Sequence, residues 1–146
     1  MALIGGGPSA LSLDTNVFID LLRGRSPRVR RWLEHALAGG PPLKASLIVL
    51  HELLFGAALC ARPSAGREAI RRLMAPVEIA AFDAADMIGA ADLRARLRGR
   101  GRPLGAHDLL IAGQALARGW TVVSADARAF GGIDGLGVID WSQAAV

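Results

Sequence analysis

Short apolar stretches alternate with longer segments of helical periodicity along this chain, and this alternation restricts its fold more than any other feature. The apolar stretches are residues 10–13, 43–45, 77–82, 120–125 and 136–141. Helical segments separate most of them, and a strand that is followed by a crossover helix pairs in parallel with the next strand. The pattern therefore predicts an α/β fold with a mostly parallel central sheet of about four to five strands, flanked by helices.

Capping residues indicate where the helices begin and end. Ser46 and Asp83 stand in front of helical segments as N-caps, Pro27 suits a first helical turn, and Gly119 is a good C-terminal stop. The predicted helices are residues 15–23, 27–38, 47–61, 64–74, 84–98 and 107–118, with a short helical turn near 126–132.

The length of 146 residues predicts a single domain over residues 1–146, in which the glycine-rich residues 1–9 form a flexible lead-in. One cysteine, Cys60, excludes an intrachain disulfide and a cysteine-based zinc site, and favours a cytoplasmic protein. The longest apolar stretch is interrupted by His51 and Glu52 and is too short to span a bilayer, so we expect no membrane partner.

Two carboxylates follow apolar strands at the point where each strand ends. Asp14 comes directly after the strand in LSLDTNVFI, and Asp126 follows TVVSA. Ligands of open parallel sheets bind at the carboxyl ends of the strands, so both positions indicate a site at that edge. The alternative for each residue is a helix cap or a turn.

Two further carboxylates stand among apolar residues of helices. Glu52 shares a helix face with Ile48, Val49 and Phe55, where an unpaired charge is costly. Asp108 opens the helix DLLIAGQAL. The alternatives are an ion pair with an arginine for Glu52 and a helix-dipole partner for Asp108.

Together these four acids predict a metal site. Carboxylates that converge on one end of a sheet repel one another, and some protonate unless a cation is present. Oxygen ligands without sulfur or a histidine pair suit Mg²⁺, with Mn²⁺ as a substitute. The other acids are predicted to be caps, partners of surface arginines, or solvated; the solvated set is Glu68, Asp86, Asp92, Asp134 and Asp140.

Four separated motifs give the chain a family resemblance. They are LDTNVFIDLLRG, HELLFGA, GAHDLLIAGQALARG and VVSADARAF, in this order over residues 10–141. The chain resembles PIN-domain ribonucleases, and most closely the VapC toxins of bacterial toxin–antitoxin modules. The resemblance implies a PIN-like α/β/α sandwich and a metal-dependent endoribonuclease that cleaves RNA by metal-activated water.

The resemblance also implies roles for individual residues. Asp14, Glu52, Asp108 and Asp126 would form the acidic site, with Asp14 and Asp108 as direct ligands of Mg²⁺ and the other two acting through water. Ser124 would hydrogen-bond within the site, and Asn16 would orient Asp14 or a water.

The sequence departs from the family pattern at two positions beside these motifs. His107 stands where asparagine or tyrosine is common, and is interpreted as a partly exposed residue at the rim of the site, with a catalytic role as the alternative. Gly113 stands where alanine is usual, a change expected to affect packing alone.

Arginines precede the Asp108 motif. Of 17 basic residues only Lys44 is a lysine, a bias that either phosphate recognition or a GC-rich genome explains. The loop RGRGRPLG contains Arg98, Arg100 and Arg102, which we interpret either as an RNA-binding rim or as a solvated helix end.

Apolar helix faces indicate partners as well as a core. Val49, Leu53 and Phe55 on one helix, and Val29, Trp32 and Leu33 on another, are mostly assigned to the core. The resemblance adds a homodimer interface and a groove for the cognate VapB-type antitoxin, whose basic side chain would enter the acidic site.

Other functions are less consistent with the sequence. An aspartyl phosphatase would need an acid where Asn16 stands, and a response-regulator receiver would need a late lysine, whereas Lys44 is early. A non-catalytic binding module and a PIN nuclease of RNA processing outside a toxin–antitoxin pair remain alternatives. The motifs leave open the RNA target and the number of metal ions.

Overall fold

Five short parallel strands form one sheet in the computed structural model, which describes residues 7–143. The order across the sheet is β3-β2-β1-β4-β5. The strands are β1 (Leu11–Leu13), β2 (Leu43–Ser46), β3 (Glu78–Ala80), β4 (Thr121–Ser124) and β5 (Val138–Asp140). The lead-in expected at residues 1–9 lies mostly outside the described residues.

Six α-helices connect and cover the strands within residues 7–143. They are α1 (Thr15–Arg23), α2 (Pro27–Leu37), α3 (Leu47–Ala58), α4 (Pro63–Met74), α5 (Ala84–Gly99) and α6 (Ala106–Arg118), and a 3-10 helix (Ala127–Phe130) precedes β5. Every residue of β1 is buried, and alternate side chains of a strand point to opposite faces, so the sheet is covered on both sides. This confirms the predicted α/β/α sandwich. No helix in the described part of the chain is long and apolar enough to cross a membrane.

The strand order places a crevice at the centre of the sheet. The chain builds outward from β1 to β2 and β3 on one side, and then continues with β4 and β5 on the other. Such a reversal of winding opens a crevice at the carboxyl ends of the two strands that flank it. Leu13 is in register with Val123, and the backbone N–H of Asp14 donates to the carbonyl of Val123 at 2.8 Å. Asp14 therefore lies directly at the crevice.

The helix starts follow the predicted capping chemistry. Asp83 accepts from the N–H of Asp86, and Asp86 accepts from the N–H of Asp83, both at 2.9 Å, which completes a capping box for α5. Ser46 accepts from the N–H of Val49 at 3.4 Å as the cap of α3. Gly119 ends α6 in a left-handed conformation with φ of 69°.

Several boundaries differ from the prediction. Helix α3 ends at Ala58 rather than at residue 61, because Pro63 disfavours a helical conformation for the residue before it and starts α4 directly. Strands β3 and β5 are shorter than their apolar stretches. Each pairs with one neighbour along three residues, and the apolar stretches extend beyond that register at both ends.

Two burial predictions were wrong. Asp86 is 1% exposed rather than solvated, because Arg118 of α6 donates to both of its oxygens, at 3.0 and 2.7 Å. Burial raises the pKa of Asp86, but the hydrogen bonds from Arg118, the N–H of Asp83 and Gln114, together with the charge of Arg118, outweigh it, and the net pKa is lowered. Phe55, assigned to the core, is 61% exposed, because the buried residues of α3 lie on a different face of the helix.

Candidate active site

Asp14 is the buried centre of the site. It follows β1 and caps α1, and its side chain is 3% exposed. Its Oδ1 accepts from the N–H of Thr15 at 2.7 Å, and its Oδ2 accepts from the hydroxyl of Ser124 at 3.0 Å. Both carboxylate oxygens are thus held in place from strand ends on either side of the crevice.

Glu52 and Asp108 come from two helices that meet near this edge. Glu52 lies on α3 with its side chain 27% exposed, and Asp108 lies in the first turn of α6. Both line one cavity of about 380 Å³, together with Gly105, Ala106 and His107.

Electrostatics link these three carboxylates. Burial raises the pKa of Asp14 to about 6, with the negative charges of Asp108 and Glu52 adding to the effect and the hydrogen bonds from Ser124 and Thr15 opposing it. The pKa of Asp108 is raised as well, first by burial and then by the charge of Glu52, with His107 acting in the opposite direction. Acids whose pKa values are raised by burial and by neighbouring negative charges are typical of a site that binds a cation.

Asp126 lies at the same edge, but its carboxylate is turned to another partner. Its backbone N–H donates to the hydroxyl of Ser124 at 3.0 Å, which fixes its place beside Asp14. Its side chain forms two hydrogen bonds of 3.0 Å with Arg128, and these lower its pKa. The structure therefore brings three of the four predicted acids into electrostatic contact and places the fourth in an exposed ion pair.

The supporting residues differ in their contacts. Ser124, as expected, bridges the site, since it donates to Asp14 and accepts from Asp126. Asn16 is exposed in the first turn of α1, and its side chain makes no hydrogen bond within residues 7–143. The hydroxyl of Thr15 is buried and has no partner among the described residues, a polar group that sequence reasoning did not assign to the site.

His107 is half exposed at the rim, as interpreted, but it also contacts the site. Its Nδ1 lies 2.9 Å from Oε1 of Glu52. The ring of His51 packs edge-on against it at 6.2 Å. The partner of Glu52 is thus a histidine next to another site acid, rather than the arginine considered from the sequence. The sequence could have indicated His107 as a site residue, because His107 is adjacent to Asp108. Its contact with α3 could not be predicted from the sequence.

The donor chemistry of the site fits a divalent metal ion. No group of three or more histidine, cysteine, aspartate or glutamate side chains within residues 7–143 is arranged to hold a metal directly. Mg²⁺, however, is usually held by one or two carboxylates, with waters and substrate phosphates completing the shell. Asp14 and Asp108 would supply such a pair, and a cation would offset the burial and the repulsion that raise their pKa values.

The three arginines of the predicted rim have different surroundings. Arg100 forms a 2.9 Å ion pair with Asp134. Arg102 lines a second cavity of about 410 Å³ that also includes Asp108, and its Nη2 donates to the carbonyl of Gly131 at 3.3 Å. Arg98 is exposed in the last turn of α5.

Comparison with known proteins identifies the family. The family model described as PIN domain matches residues 11–136. This chain belongs to the PIN-domain family.

Relatives of the PIN-domain chain carry VapC names. It is 32% identical over 130 residues to the tRNA(fMet)-specific endonuclease VapC of Shigella flexneri, which covers 89% of this chain and 96% of that protein. It is 28% identical over 131 residues to ribonuclease VapC2 of Rickettsia felis, which covers 90% of this chain and 97% of the relative.

A solved structure agrees with these relatives. The crystal structure of VapBC2 from Rickettsia felis bound to a promoter DNA fragment matches with a TM-score of 0.85 and 26% identity, over 90% of this chain and 98% of that one. The resemblance to VapC-type PIN domains seen in the four sequence motifs is therefore confirmed.

Proposed function

We propose that this PIN-domain chain is the toxin of a type II toxin–antitoxin pair, a cytoplasmic Mg²⁺-dependent endoribonuclease. The observation that carries the proposal is the cluster of Asp14, Glu52 and Asp108 at the crevice of the sheet, in which burial and mutual repulsion raise the pKa of Asp14 to about 6. The similarity to VapC endonucleases along nearly the whole chain supports RNA as the substrate.

The chain's own groups would act by positioning. Ser124 and the N–H of Thr15 fix the two oxygens of Asp14, and Asp14 with Asp108 would hold Mg²⁺. A bound Mg²⁺ supplies positive charge for the phosphate oxygens and lowers the pKa of a nearby water. Glu52, held by His107, would orient the attacking water and accept its proton. Water oxygen bonds to phosphorus as the bond to the leaving oxygen breaks, and the leaving oxygen takes a proton from solvent.

The carboxylate of Asp126 would join the site if its side chain rotated away from Arg128. Its ion pair with Arg128 is exposed, with side chains 49% and 90% accessible, and exposed pairs of this kind hold weakly. A metal or water beside Asp14 would therefore compete with Arg128 for the Asp126 carboxylate.

The substrate class is proposed as transfer RNA or ribosomal RNA. The Shigella flexneri relative is named as specific for tRNA(fMet), so total transfer RNA is the first substrate to test. The purified, partner-free protein is expected to cleave RNA with Mg²⁺ or Mn²⁺, to stop on addition of EDTA, and to be inactive as Asp14→Asn. Cleavage that persists in Asp14→Asn would contradict the assignment.

An antitoxin is the proposed protein partner. Helices α1, α3 and α4 form a largely apolar groove of about 320 Å³ whose wall includes Ile19, Leu22 and Ile70, and Glu52 lies at its margin. An amphipathic segment of a VapB-type antitoxin would fit its apolar face into this groove. A basic side chain of that segment would then reach Glu52 and block the acidic site.

A homodimer is proposed from exposed apolar side chains. Ile88 of α5 is 64% exposed and Met87 is 40% exposed, while Leu59 beyond α3 is 72% exposed. Contiguous exposed apolar patches mark interaction surfaces more often than single exposed apolar side chains do. Light scattering across a range of concentrations is expected to show dimer, and Ile88→Glu to shift it toward monomer; monomer alone in the wild type would contradict the dimer.

A further inference from the structure

A second cavity opens beside Asp108, on the side away from Glu52. It measures about 410 Å³ and lies between the end of α5, the loop that follows it, and residues 129–133. Its walls are about evenly polar and apolar, and Leu97, Pro103, Leu104 and Ile133 form the apolar part. The volume falls within the range of roughly 300–1,000 Å³ that is usual for small-ligand sites.

Arg102 gives this cavity a positive group. It has no carboxylate within ion-pair distance among residues 7–143, whereas Arg100 two positions earlier pairs with Asp134. Arg102 packs over Gly132, where an added Cβ would lie 2.7 Å from its Nη1. The guanidinium is therefore held at the cavity by a glycine and a carbonyl, with its charge available for an anion.

The cavity combines three features in one space: a wall that is apolar in part, a guanidinium without a carboxylate partner, and Asp108 of the candidate site. A nucleotide offers the matching groups, namely a flat base for the apolar wall and a phosphate for the arginine. A base inside a duplex is stacked and paired, so it would have to leave the helix to enter.

We propose that this cavity is a nucleotide subsite that receives one unstacked base of the RNA next to the scissile phosphate, with Arg102 on an adjoining phosphate. This inference rests on the proposed ribonuclease function. It assigns recognition of that base to the cavity rather than to the acids.

The test combines changes on both molecules. Leu104→Trp places a larger side chain in the cavity wall, and Arg102→Ala removes the charge. Gly131→Leu is a second way to fill the cavity: Gly131 has an ordinary φ of −65°, and an added Cβ would meet only the carbonyl of Arg128, at 3.6 Å. Arg31→Ala, exposed on α2, is the matched loss of one positive charge elsewhere.

The RNA probe is a single-stranded oligonucleotide that spans the mapped cleavage site, with one abasic position moved stepwise across it. For the wild type we expect one abasic position to lower kcat/KM about 10-fold, the size of one lost base contact. Leu104→Trp and Gly131→Leu should lower cleavage of the intact RNA to a similar degree, with no further loss from the abasic position. Arg31→Ala should behave as the wild type.

Three results would overturn the subsite. The first is wild-type cleavage that is equally fast at every abasic position. The second is an abasic position that lowers cleavage by the filled-cavity variants as much as it lowers cleavage by the wild type. The third is normal RNA cleavage by these variants combined with weaker antitoxin binding, which would make the cavity a protein-binding site. Absence of any RNA cleavage by folded wild-type protein with Mg²⁺ is a different outcome, because it refutes the proposed function itself. Circular dichroism checks that each variant is folded. If Leu104→Trp does not fold, the conclusion rests on Gly131→Leu.

Discussion

The carboxyl group of Asp14 is the clearest case of an ionisable group buried at the expense of stability. It is 3% exposed, and its pKa is raised from 3.8 to about 6. Because the unfolded chain releases this proton near pH 3.8, the folded state binds more protons between these values, and stability falls as pH rises through that window. Above pH 6 the loss is constant, at about 3 kcal/mol.

Asp14→Asn is therefore expected to stabilise the metal-free protein while it abolishes cleavage. An asparagine keeps an acceptor for the Thr15 N–H and removes the buried charge. At pH 7 with EDTA, urea denaturation should give a free energy of unfolding up to about 3 kcal/mol above that of the wild type. At pH 3.5 the two proteins should be close, since the wild-type acid is then protonated. Equal stability at pH 7 would mean that Asp14 is not strained by its charge.

Binding of Mg²⁺ should offset the destabilisation that the buried charge of Asp14 causes in the wild type. A ligand that binds only the folded state raises the melting temperature as its concentration passes the dissociation constant. We expect millimolar Mg²⁺ to raise the melting temperature of the wild type at pH 7, and to leave that of Asp14→Asn unchanged. Asp108→Asn should reduce the shift. A wild-type melting temperature insensitive to Mg²⁺ and Mn²⁺ would argue against a metal site at this crevice.

Helices α5 and α6 pack so closely that one residue type is required between them. A Cβ added at Gly113 would lie 2.6 Å from the Cβ of Ala90 and 2.7 Å from its Cα. The ion pair between Asp86 of α5 and Arg118 of α6 connects the same two helices at a second position. Gly113, which the sequence marked as a change in packing where the family has alanine, is thus the point of closest approach.

Gly113→Ala should destabilise the protein although alanine favours a helix. Overpacking costs typically about 1–3 kcal/mol, more than the gain of roughly 0.5–1 kcal/mol from replacing a helical glycine. Adding Ala90→Gly should leave most of the loss in place, because the added Cβ lies nearly as close to the backbone Cα of Ala90 as to its Cβ. Gly56→Ala is the control, because its Cβ meets nothing within 4 Å; denaturant titrations compare all four proteins, and a stabilising Gly113→Ala would disprove the tight contact.

The charge of the whole molecule is positive by 4, yet the candidate site is acidic. Under the proposed function, an acidic centre that binds polyanionic RNA needs cations around it, and the arginines at the end of α5 would supply them. Arg100 is engaged with Asp134, so Arg98 and Arg102 are the two rim charges without a carboxylate partner among residues 7–143.

Reversing these two charges should weaken RNA binding and flatten its salt dependence. Each lost phosphate contact lowers the slope of log affinity against log salt by roughly 0.7–0.9. Arg98→Glu with Arg102→Glu is compared with Arg30→Glu and Arg31→Glu on α2, by fluorescence anisotropy at several salt concentrations. A slope unchanged from the wild type in the rim variant would leave these arginines as a solvated helix end.

Local rules were enough to predict most of the elements and to mark Asp14 as an acid at a strand end. Helix caps, glycine stops and period-two apolar stretches act within a few residues, so β1, α1, α5 and the strand-end position of Asp14 followed from neighbours in the chain. The four motifs likewise identified the PIN family from sequence alone, and the sheet with its parallel order confirmed it.

Contacts between distant segments were decided by the tertiary structure. The pairing of Glu52 with His107 and the burial of Asp86 by Arg118 depend on how the helices approach one another. The same holds for the cavity at Arg102, which three separate segments enclose. A sequence pattern records which face of an element is apolar, but the distance between two side chains depends on the packing of the elements that carry them.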